Sequence, residues 1–254
     1  MAALNFDEQR VEELLQLIED ASMNRGKDRE PEDLEALKEA YGELVHVFHY
    51  KIEDFQEYVY QLQEYDWGDC DIDGLDYYFC PGDVFSLTHS LTVALEFGAT
   101  KGVLVFSHYG STLPFVLKFP RIECENNYCE DELEIYNAAV EAGVEGAFAE
   151  CFKADDWFDI PFYFMESLVI NDEEVLEEAA HNTLSKNDDL DFDEVWDELT
   201  CICGKDYALV KAFITEDEAL TDFLWSNCVN DLHSENFGWS LDTGLPVMCD
   251  YSGF

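Results

Sequence analysis

The stretch Leu91-Thr92-Val93-Ala94-Leu95-Glu96-Phe97-Gly98-Ala99-Thr100-Lys101-Gly102-Val103-Leu104-Val105-Phe106-Ser107-His108-Tyr109-Gly110-Ser111-Thr112-Leu113-Pro114-Phe115-Val116-Leu117-Lys118-Phe119 decides the fold class. It holds three short runs rich in β-branched and aromatic residues, 91–95, 102–106 and 114–119, each too short for a helix and separated by glycine-containing segments. Ser107 to Ser111 reads as a turn, so the texture from Asp83 onward predicts a meander of antiparallel strands.

Helices are expected on both sides. Upstream, residues 8–21 place Val11, Leu14, Leu15 and Ile18 on one helical face, and Asn24-Arg25-Gly26 ends the pattern. Pro31 opens a longer helix in which Leu34, Leu37, Tyr41, Leu44, Phe48, Phe55, Val59 and Leu62 recur at three- and four-residue spacings, up to Asp66-Trp67-Gly68. Downstream, a helix over about Cys129–Ala142 is stopped by Gly143. An apolar strand, Pro161–Met165, then runs into Glu166-Ser167-Leu168. Further helices are expected near 171–183, 191–202 and 216–228, the last opened by Thr215 and Glu218 as a capping box. A sheet with one helix, followed by mainly helices, is α+β layering, not alternating βαβ. It divides the chain into a helical extension (1–80), a sheet with one helix (81–168) and a reduced helical part (169–254).

Composition bounds the function. The chain has 254 residues, 48% apolar and 15% aromatic, so it can bury a large core despite 58 acidic against 13 basic residues and a formal net charge of −45. Direct nucleic-acid binding through phosphates requires clustered cations, and anionic membranes are disfavoured for the same reason. The first residues carry neither a basic nor an apolar leader pattern, which predicts a soluble cytoplasmic protein. Nine cysteines, several in apolar surroundings, fit reduced thiols. Neither Cys124/Cys129 nor Cys201/Cys203 has the repeated spacing of a zinc site. Asp69-Cys70-Asp71-Ile72-Asp73-Gly74 matches the first half of a calcium loop, but Tyr77 and Cys80 stand where its later ligands belong.

The C-terminal string carries the chemistry. Val229-Asn230-Asp231-Leu232-His233-Ser234-Glu235-Asn236-Phe237-Gly238 is followed by an apolar strand and Asp250-Tyr251-Ser252-Gly253. This order resembles the catalytic loop and metal-binding motif of the protein-kinase-like fold, nearest the bacterial, phage and small-molecule phosphotransferase branches. The resemblance implies Asp231 as the base, His233 as an orienting residue, and Asn236 and Asp250 as magnesium ligands. Upstream, Gly98 and Gly102 resemble a sparse glycine-rich loop over ATP phosphates. Lys118, inside an apolar strand where a cation is costly, resembles the phosphate-contacting lysine. Glu132, with Glu134 as fallback, resembles that lysine's helix partner. Glu166 and Leu168 resemble the hinge whose backbone bonds adenine. The implied fold is a kinase-like lobe of antiparallel sheet with one helix and a reduced helical lobe. The chain stops just past the metal motif, so no activation segment is expected.

The implied activity is transfer of the γ-phosphoryl of ATP, with Mg2+, to a protein Ser/Thr hydroxyl. Charge offers a second expectation. Residues 81–254 alone carry 36 acids and 7 bases, a field that repels ATP and attracts basic protein substrates or partners. The alternative is therefore a kinase-fold binding protein, a pseudokinase whose acidic surface imitates nucleic acid. It would block a basic DNA- or RNA-handling partner, as phage counter-defence proteins do.

Overall fold

The computed structural model describes residues 8–63, 84–98, 100–121, 126–170, 218–229, 236–240 and 246–252. The expected calcium-loop half-match, the helices near 171–183 and 191–202, Thr215, Asp231 and His233 lie outside the described residues. The protein is α+β. Two helices, α1 (Glu8–Ala21) and α2 (Pro31–Gln63), precede strands β1 (Val84–Ser86), β2 (Leu91–Phe97), β3 (Lys101–His108), β4 (Ser111–Thr112) and β5 (Phe115–Pro120). Helix α3 (Tyr128–Ala142) follows, then β6 (Cys151–Trp157), β7 (Ile160–Glu166) and β8 (Leu168–Ile170). Helix α4 (Glu218–Ser226) and strands β9 (Phe237–Ser240) and β10 (Pro246–Met248) complete the order. No helix among the described residues is long and apolar enough to cross a membrane.

The chain forms two compact units. The first comprises residues 1–130 and 152–165, and the second 131–151 and 166–254. In the first, a seven-stranded sheet runs β1-β2-β3-β5-β7-β6, with β4 paired to β3. The meander is antiparallel, with Leu91 opposite His108 and Gly102 opposite Phe119. The turn is tighter than the sequence predicts: β3 runs to His108, and Tyr109 (φ 48°) and Gly110 (φ 82°) alone make the reversal. Two consecutive positive φ values give the turn the twist of its strands. Between β6 and β7, Phe158 (φ 57°) and Asp159 (φ 62°) do the same without a glycine. Phe158 is held by stacking on His46, with ring centres 4.8 Å apart.

The apolar stripes of α1 and α2 join the sheet in one core. Val11, Leu14, Ile18, Leu37, Tyr41, Leu44 and Phe48 are buried in the same cluster as Leu91, Leu104, Phe106, Leu117 and Phe164. The helix pair from Val11 to Phe48 therefore forms part of this unit's hydrophobic centre. Tyr41 joins the two layers: its hydroxyl donates to the Phe115 carbonyl (2.9 Å) and accepts from the Phe115 amide (3.1 Å). Burial pushes its acidity well below that of a free phenol. Tyr41→Phe leaves both backbone groups without this partner and is expected to cost about 1–3 kcal/mol, read as a lower denaturation midpoint at unchanged m-value.

The helix pair is tied by Arg10, which donates to both Glu43 oxygens (2.5–3.1 Å). The guanidinium holds the Glu43 carboxyl below its usual range. A depressed folded pKa contributes stability above the unfolded value near 4.5, lost as pH falls through the folded pKa. Acid titration of unfolding should show this loss below about pH 4.5, and Glu43→Gln should flatten that part of the curve.

The second unit holds β8, β9 and β10 as an antiparallel sheet of order β10-β9-β8. α3 ends in a Schellman motif: Gly143 takes φ 76° and the Val144 amide donates to the Ala139 carbonyl at 3.0 Å.

Candidate functional site

In the second unit, the β9–β10 hairpin sets the register of two of the predicted residues. Phe237 pairs with Met248, and the ladder continues one step outward where the Cys249 amide donates to the Asn236 carbonyl at 2.8 Å. Asn236 and Asp250 therefore stand within one residue of register at the same end of the hairpin. Asn236 is buried and Asp250 half-buried. Gly238 fits β9 closely to β8, since a Cβ there would lie 2.6 Å from that of Leu168.

Behind Asp250, Tyr251 is buried against Phe148, with ring centres 5.1 Å apart, and its hydroxyl donates to the Ala149 carbonyl at 3.1 Å. Burial, then the neighbouring Cys151, Glu132 and Tyr136, keep this phenol protonated far above its usual range. That places Tyr251 beside Glu132 and Tyr136, one turn apart on α3. Glu132 is fully buried, whereas Glu134 is exposed.

The segment expected to act as a hinge, Glu166–Leu168, is built on a buried carboxylate. Glu166 accepts from the Ser240 hydroxyl (2.5 Å) and the Glu150 amide (3.1 Å), while its own amide donates to the Glu150 carbonyl (2.9 Å). Next to it, Ser167 Oγ is buried with no hydrogen-bond partner among the described residues. Leu168 pairs with Ser240 in the β8–β9 ladder.

In the first unit, Lys118 is buried on β5 opposite Val103, and Lys101 is buried at the start of β3. Gly98 and Gly102 flank the β2–β3 turn. Its form is fixed by the Gly98 amide donating to the Lys101 carbonyl (2.9 Å) and by Arg121, whose guanidinium donates to the Gly98 carbonyl (3.1 Å). The two glycines differ. A Cβ at Gly102 would fall 2.3 Å from the Phe119 ring, whereas one at Gly98 meets only the Lys101 carbonyl at 3.8 Å. Gly102→Ala is thus expected to cost about 1–3 kcal/mol of stability and Gly98→Ala well under 1, measured by paired denaturant melts.

Sequence reasoning did not single out Lys101, Glu150 or Ser240. A lysine at a strand start and a serine after an aromatic strand carry no local signal of burial. Among the described residues, no three His, Cys, Asp or Glu side chains gather as a metal set. The amide and carboxylate oxygens of Asn236 and Asp250 are hard donors of the kind magnesium takes. No known family's profile matches this chain, and a search of curated proteins finds no relative.

Proposed function

We propose that this chain is an ATP- and magnesium-dependent phosphotransferase of kinase-like fold, acting on protein Ser/Thr hydroxyls. The observation that carries the reading is the β9–β10 hairpin, which sets Asn236 and Asp250 at one end, one residue out of register. Support comes also from the buried Glu132 beside Tyr251, the buried Lys118 within the sheet, and the unpartnered buried hydroxyl of Ser167 at the hinge.

In this reading Lys118 and Glu132 position the phosphates, and the Gly98–Gly102 turn covers them. In this reading the backbone of the Glu166–Leu168 segment bonds adenine, the Glu166 amide already donating to the Glu150 carbonyl. Asn236 and Asp250 would hold magnesium, which would supply charge neutralisation on the phosphate oxygens. Asp231 accepts the acceptor hydroxyl's proton as the new O–P bond forms and the β–γ bridge bond breaks, releasing ADP. His233 orients the loop.

The test is transfer of labelled phosphate from Mg-ATP to a basic, serine-containing protein. Wild type should transfer and Asp231→Ala should fall to background. Equal labelling by both would overturn the reading. The net charge of −45 favours a second reading, an acidic binding protein that occupies a basic, nucleic-acid-handling partner. Biological activity retained by Asp231→Ala would support it.

A further inference from the structure

Two buried lysines share one face of the large sheet, and both belong to the first unit. In the β3–β5 ladder Lys101 stands opposite Pro120 and Lys118 opposite Val103. Paired residues point to the same side of a sheet, and side chains alternate along each strand. Lys101 and Lys118 are therefore diagonal neighbours on one face, with backbones about 7–8 Å apart. Leu104, Leu117 and Phe119 point the other way, into the core that α1 and α2 share. Along the lysine face Val103, Val105 and Val116 are half-buried, whereas Lys101 and Lys118 are only 5% and 8% exposed.

Cations are scarce in this part of the chain. Of the four lysines and arginines among the described residues from Val84 onward, three, Lys101, Lys118 and Arg121, lie at this end of the ladder. Arg121 shapes the neighbouring turn, its amide donating to the Thr100 carbonyl and its guanidinium to the Gly98 carbonyl, both at 3.1 Å. In a chain of net charge −45 an anion is repelled by the field as a whole and is held only where cations are concentrated. Lysine is rarely buried unless paired, and two side by side repel each other, a cost that an anion shared between them offsets. Neither lysine is without a partner in the protein, but an ammonium has three N–H donors and can serve an anion as well.

We infer that Lys101 is a second phosphate-binding cation, which together with Lys118 holds the polyphosphate chain of a nucleoside di- or triphosphate. The inference rests on the phosphotransferase reading for the nucleoside part of the ligand. The anion site itself requires only the two ammonium groups. A single phosphate satisfies one lysine, so the pair selects for ligands with at least two.

The experiment is calorimetric titration of the full chain with Mg-ATP and with inorganic tripolyphosphate, comparing wild type with Lys101→Met, Lys118→Met and Lys153→Met. Methionine keeps the length of the side chain and removes the charge. Loss of one charge-assisted contact should raise Kd for both ligands about tenfold in Lys101→Met and in Lys118→Met. Lys153, half exposed on β6, loses the same charge away from the ladder, and its variant should move each Kd less than about twofold. A measurement on the wild type keeps the test open should a buried substitution fail to fold. With an acyl phosphate of ATP, a lysine amine at the phosphates attacks the acyl carbonyl and releases ATP, and mass spectrometry should find the new amide on Lys101 and Lys118 but not on Lys153. Wild-type affinity in Lys101→Met, or labelling of Lys118 without Lys101, overturns the inference and leaves the phosphotransferase reading standing. Tripolyphosphate bound through both lysines by a wild type that transfers no phosphate does the reverse. A wild type that binds neither ligand overturns both.

Discussion

Asp250→Asn is expected to lose magnesium-dependent ATP binding and to lower phosphotransfer by at least about 10²–10³-fold, with the fold intact. The substitution keeps the side chain's shape and removes one charge at a half-buried position. Its neighbour Tyr251 keeps its place through the Phe148 ring and the Ala149 carbonyl, and Cys249 keeps its amide bond to Asn236. None of these contacts uses the Asp250 carboxylate. The thermal midpoint should therefore stay within about 2 °C of wild type, on the scale of a surface substitution. Binding loss with an unchanged midpoint assigns the effect to the metal site. A parallel drop in midpoint would make Asp250 a structural residue instead.

The second large effect is expected from removing residues 1–63. These supply Val11, Leu14, Ile18, Leu37, Ala40, Tyr41, Leu44, Val45 and Phe48 to the core, each no more than 2% exposed. Full burial of one large apolar side chain is worth about 1.5–3 kcal/mol, so their sum exceeds the net stability of about 5–15 kcal/mol of an ordinary domain. The remaining sheet would expose Phe106, Phe115 and Phe164, which now meet Tyr41 or its neighbours. The truncated chain should lack a cooperative thermal transition and bind ANS. A cooperative transition near that of the full chain would mean that the helices are a removable extension.

The parts of the fold legible in the sequence are those with local punctuation. α1, α2 and α3 carry 3.6-residue apolar stripes, and Gly143 sits where α3 needs a left-handed residue to stop. The meander was readable because Gly98 and Gly110 mark its turns. β6 was not. Its Lys153, Asp155 and Asp156 look like loop, and its turn to β7 bends at Asp159 and at Phe158, a bulky residue that rarely takes positive φ. There Phe158 packs on His46, a contact 112 positions apart that no local pattern encodes. Of the short strands of the second unit, β10 is legible as the apolar run before Asp250, whereas β8 and β9 are hidden, since three or four residues cannot show a period.

At the site, the residue types marked the chemistry but not their supports. Glu132, the first choice over Glu134 for the helix partner, is the buried one of the two. Gly102 matched a loop pattern, yet the Phe119 ring explains by itself why no side chain stands there. The Glu166 cradle, with Ser240 and Glu150, joins residues 74 and 16 positions away, which no local pattern encodes. The packing of Trp157 on Gly42 needs the same long-range information, because Gly42 reads in sequence only as a weak point of a helix.

The central claim is tested most directly by calorimetric titration of the intact protein with ATP, with and without magnesium. The account predicts saturable binding that requires magnesium and disappears in Asp250→Asn. No binding at about millimolar ATP, where a phosphotransferase of ordinary KM would bind, would contradict it.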